Sequence, residues 1–91
     1  MRHARPDDLD RVEDLLVSLR AIDALTEKQR GVFYLRSKAF LHFHEHDGDI
    51  VCDVRLDGVE FERRVVTGSS SQRALVRDVR RALIDSERTN L

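Results

Sequence analysis

Apolar residues recur at steps of three and four from Leu9 through Val12, Leu15, Leu16 and Leu19 to Ile22. That spacing lays one apolar stripe along a helix. Pro6 suits a first turn, and Asp7, Asp8 and Asp10 complement the positive end of the helix dipole. One helix is therefore predicted over residues 7–25, roughly five turns long. The polar stretch 26–31 ends in Gly31 and reads as a loop.

From residue 32 the chain turns rich in β-branched and aromatic residues and carries two Asp-Gly pairs, Asp47-Gly48 and Asp57-Gly58. Asp-Gly between alternating runs signals a tight hairpin, because both central positions of a type I′ turn need positive φ. Four antiparallel strands follow, over residues 32–36, 39–46, 49–56 and 59–66, with a first reversal around Arg36-Ser37-Lys38. Helical spacing returns at Leu75, Val76, Val79, Ala82 and Leu83, and Ser69 with Gln72 fits a capping box. This predicts a second helix over residues 70–86. The expected fold is α+β, one domain over residues 1–91. It has an N-terminal helix, a four-stranded antiparallel meander and a C-terminal helix, with both helices on one face of the sheet.

A two-residue turn at Asp47-Gly48 fixes the pairing: His46 opposite Asp49, His44 opposite Val51, His42 opposite Asp53. Alternation then sorts the residues. Ala39, Leu41, Phe43, Ile50, Cys52, Val54 and Leu56 are expected inward, and the second turn adds Val59 and Phe61. The other face takes Phe40, His42, His44, His46, Asp49, Val51, Asp53 and Arg55. A tight first turn would bring Phe33 and Leu35 to it as well. Phe33, Leu35, Phe40, His42, His44, Val51 and Arg55 then form a mixed apolar and polar surface, the kind that receives a partner or a second copy of the chain.

The same face carries the only dense metal-ligating pattern. His42, His44 and His46 stand at every second position, with Asp49 and Asp53 across the hairpin. Histidines at i and i+2 lie about 7 Å apart and can share an ion, whereas His42 and His46 are about 13 Å apart. The candidate sets are thus His42, His44 and Asp53, or His44, His46 and Asp49, each offering three ligands and an open position to a zinc-like divalent ion. Such a site has hydrolytic potential. Exposed histidines on a strand are also ordinary polar residues, and the leading expectation is a non-enzymatic binding or homodimerisation module. Cys52 points away from the histidines, which removes a Cys-His nucleophile. No Gly-x-Ser-x-Gly segment is present, and the serine run 69–71 is explained by capping.

Composition narrows the classes further. The 91 residues carry a net charge of −1 and only 5% aromatics, which argues against a dedicated nucleic-acid binder. Arg73, Arg77, Arg80 and Arg81 nevertheless form a stripe on the second helix, a candidate anion or phosphate surface. A single cysteine leaves no internal disulfide and suits a reducing interior. No apolar run approaches the roughly 20 residues of a membrane span, and the start lacks the order of a secretory signal. The expected setting is soluble and cytoplasmic.

The stretch "GVFYLRSKAFLHFHEHDGDIVCDVRL" resembles small bacterial proteins of about this length, with a leading helix, a strand meander and a closing helix. More distantly it is similar to the MmcQ/YjbR type, where a Lys-x-Phe element like Lys38-Ala39-Phe40 precedes a longer hairpin. That resemblance implies the α+β fold and a double-wing DNA-binding role. The histidine triplet and the neutral charge depart from that family's pattern.

Overall fold

The computed structural model describes residues 1–89, with side chains described as far as Ser86. It is an α+β structure built on an antiparallel sheet, with six strands and three helices where four and two were expected. The elements in order are β1 (Arg2–His3), α1 (Pro6–Asp10), α2 (Glu13–Arg20), β2 (Leu25–Gln29), β3 (Val32–Leu35), β4 (Lys38–His46), β5 (Asp49–Val54), β6 (Glu62–Val65) and α3 (Ser69–Thr89). The sheet runs β2-β3-β4-β5-β6, and β1 pairs with the far half of β4.

The predicted first helix is split at Arg11-Val12. There Arg11 N–H donates to Asp8 O and Val12 N–H to Leu9 O, both bonds spanning three residues. The apolar positions 9, 12 and 15 repeat every three residues, which suits a local 3₁₀ turn better than a continuous α-helix. Leu9, Val12, Leu15, Leu16, Leu19 and Ile22 are nonetheless all buried, as their spacing predicts. The segment read as a loop holds all of β2 but Leu25, which was expected to end the first helix. Its polar composition reflects an edge strand whose residues are mostly exposed. Gly31 turns β2 into β3 at φ +81°, and a Cβ there would meet Leu9 Cδ2 at 2.8 Å.

The β4–β5 hairpin has the register that its turn predicts, from His46 opposite Asp49 to Leu41 opposite Val54. Asp47 and Gly48 both have positive φ, as the turn type requires. The other two connections differ from expectation. The β3–β4 ladder shifts between Phe33 and Tyr34, leaving Phe40 as the extra residue of a bulge. Phe33 then opposes the inward Leu41, and Phe40 turns inward too. Phe33 and Phe40 are 1% and 3% exposed, so the surface expected to display them does not.

The second Asp-Gly pair does not make a two-residue hairpin. The Asp57 carboxylate accepts the N–H groups of Val59 and Glu60, and Gly58 N–H donates to Arg55 O. This side-chain turn widens the connection. Val54 then pairs with Glu62, and the register of β6 slips by one. A one-residue slip exchanges the faces of a strand. Arg63 therefore stands directly opposite Asp53 and on the same face, and Val59 and Phe61, expected inside, are exposed.

The core joins helix residues Leu15, Leu16, Leu19, Leu75, Val79 and Leu83 to sheet residues Phe33, Phe40, Leu41, Phe43, Ile50, Cys52 and Val54. No helix among the described residues is long and apolar enough to cross a membrane.

Candidate metal centre

His42 and His44 lie on β4 and alternate with the core residues Leu41 and Phe43, so they occupy the opposite side of the sheet. Asp53 lies on β5 directly opposite His42 and one diagonal step from His44. Its carboxylate gathers the site. His44 Nε2 is 3.2 Å and His42 Nε2 3.4 Å from Asp53 Oδ2. Arg63 donates from Nε to Oδ1 at 3.0 Å and from its terminal nitrogen to Oδ2 at 3.3 Å. Asp53 is buried although charged, 8% exposed. An unpaired carboxylate at that depth would be costly, and Arg63 supplies the compensating charge.

One ligand atom from each of His42, His44 and Asp53 falls within 4.8 Å of the others. The rings are held by neighbours. His42 packs edge-on against His44 and against Phe61, with centroids 5.0 and 5.1 Å away. The β6 slip that brings Arg63 to Asp53 is therefore accompanied by Phe61 beside His42. Burial, opposed by Asp53 and reinforced by His44 and His3, holds His42 below the ordinary histidine value. Burial alone would raise Asp53, but the hydrogen bond and charge of Arg63, aided by both histidines, outweigh it and keep the carboxyl below its usual range. The site thus favours a neutral His42 beside an ionised Asp53, the protonation states that metal ligands require.

The remaining predicted ligands lie elsewhere. His46 Nε2 stands 3.4 Å from Asp47 and its side chain is half exposed. Asp49 accepts the Thr67 hydroxyl at 2.9 Å. Among the described residues, neither joins the cluster.

The wider binding surface is rearranged. Phe33 and Phe40 are in the core, Leu35 packs against it, and Val51 is buried on the histidine side. Arg55 donates to Ala39 O at 2.7 Å and sits over the Phe61 ring at 4.3 Å. The helical stripe Arg73, Arg77, Arg80 and Arg81 is exposed as predicted, with Arg77 donating to Asp78.

One residue escaped the sequence reading. His3 pairs opposite His44 through β1, and their ring centroids are 4.9 Å apart. A two-residue strand has no periodicity from which to be read.

No protein-family model, curated protein or solved structure matches this chain. The likeness to the MmcQ/YjbR type rests on the quoted sequence stretch alone.

Proposed function

We propose that this protein is a binding module for a zinc-like divalent metal, held by His42, His44 and Asp53. The observation that carries this reading is the convergence of two imidazoles and a buried carboxylate within 4.8 Å, on two strands whose register is fixed by one turn. Nitrogen and oxygen ligands of this kind suit zinc and its first-row neighbours. Arg63 supports the site from outside. It orients Asp53 through Oδ1, and the longer contact to Oδ2 gives way to an incoming ion. In this reading α1, α2 and α3 cover the face carrying Leu41 and Phe43, and the histidine face stays free.

With Phe33 and Phe40 in the core, the apolar half of the expected dimer surface is missing, and the metal reading takes precedence over homodimerisation. The test is native mass spectrometry of the untagged protein with equimolar zinc. One zinc per chain, lost in His44→Ala, is the expected result. Equal retention of metal by the wild type and His44→Ala, or no retention by either, would reject it.

A further inference from the structure

We infer that His3 is a fourth ligand of this metal, so that the ion staples strand β1 to β4 and closes its own coordination sphere. The inference rests on the site proposed above and adds what occupies its remaining position. Zinc held structurally takes four protein ligands in a tetrahedron, whereas three ligands leave a position open. The described cluster supplies three.

His3 is placed to supply the fourth. It stands directly opposite His44 in the β1–β4 ladder, on the same face. Side chains so paired have Cβ atoms about 4.5–5.5 Å apart, within reach of a shared ion. The two rings already lie 4.9 Å apart and tilted by 30°. His3 and His42 also border one cleft of about 380 Å³, where β4 passes from its pairing with β3 to its pairing with β1. Among the described residues, no hydrogen bond ties the His3 ring elsewhere. It can turn toward the ion without breaking a bond.

The consequence is mechanical. β1 contributes two residues to the sheet, and a ladder that short has little strength of its own. It is otherwise held by Arg2, which reaches Asp8 at 2.6 Å and Glu45 at 3.6 Å, and by Ala4 N–H donating to Phe43 O at 3.2 Å. A metal bond from His3 converts that contact into a cross-link dependent on the ion. Four protein ligands also leave no position for water, so the closed site carries no hydrolytic activity.

The experiment compares untagged wild type, His3→Gln, His44→Ala and Arg2→Gln in three measurements: zinc affinity by competition with a chromophoric chelator, the visible spectrum with cobalt(II), and hydrogen exchange at the Ala4 amide. In wild type, the expected cobalt spectrum has the intense bands of a tetrahedral ion, and zinc slows exchange at Ala4. His3→Gln should weaken zinc by at least about tenfold, the scale on which even supporting groups act. It should also change the cobalt bands and abolish the effect of zinc on Ala4. Arg2→Gln loosens β1 without removing a ligand, so its cobalt spectrum at saturation should equal that of wild type. Should His3→Gln match wild type in affinity and spectrum while His44→Ala loses zinc, the three-ligand site stands and the His3 ligand is rejected. If wild type and His44→Ala bind equally or not at all, both are rejected.

Discussion

His44 and Asp53 meet at 3.2 Å across a diagonal of the β4–β5 ladder, with the carboxylate already engaged by Arg63 on its other side. Three strands therefore contribute to one point, two through register set by the Asp47-Gly48 turn and the third through the slipped register of β6. An arginine that orders a carboxylate from outside the cluster is the layered arrangement on which the proposed metal affinity would depend.

Replacing Asp53 with Asn keeps the shape and removes the charge. Zinc affinity should fall by at least about 100-fold, the upper end of the effect of losing an outer-shell partner. Chelator competition on Asp53→Asn measures this, and a fall of less than about threefold would exclude Asp53 as a ligand. Arg63→Ala should have a smaller effect, because Asp53 keeps its place on β5 without it.

The parts of the molecule legible in sequence are those where side chains and turns act over several residues. The helix stripes name most of their buried positions, and the Asp47-Gly48 turn alone places His42 opposite Asp53. The failures have separate physical causes. β1 is too short to show a period, and β2 is a polar edge strand that resembles a loop. Asp57 commits its carboxylate to two backbone amides, which moves Arg63 to the histidine face and exposes Phe61. A bulge takes Phe40 inward, and hairpin alternation alone has no means of placing the extra residue.

The placement of Phe40 has a measurable consequence. Phe40→Ala removes a side chain that is 3% exposed, whereas Phe61→Ala removes one that is 41% exposed. The first should cost about 3–5 kcal/mol and the second about 1 kcal/mol in urea unfolding. Similar costs for the two would contradict the bulge. Where Phe40→Ala remains folded, its zinc affinity should stay within about threefold of wild type, since Phe40 belongs to the core cluster and the ligands do not.

Cys52 is fully buried, and that burial pushes its thiol well above the usual value. The thiolate is the reactive form, so the native protein should react with a disulfide reagent only as fast as it opens or unfolds. A thiol assay in buffer and in urea separates the two conditions. Rapid stoichiometric reaction in buffer would show that β5 does not present Cys52 to the core.

Acid should destabilise the metal-free protein in two steps. His42 sits below its ordinary value of about 6.5 in the fold, so the unfolded chain binds the proton more readily there. Its contribution is present above about pH 6.5 and is lost as pH falls through the lower folded value. Asp53 is also depressed, and its share is lost only below the usual carboxylate range, near pH 3.8. Both act with the same sign. Urea unfolding with a chelator present should therefore give a free energy that declines from pH 7.5 to pH 5. His42→Gln should flatten that decline and leave the more acidic step intact. Zinc adds to the first step, because protons compete with it for the imidazoles. The slope over this range should accordingly be steeper with zinc than without, and equal slopes would mean that the ion does not use His42.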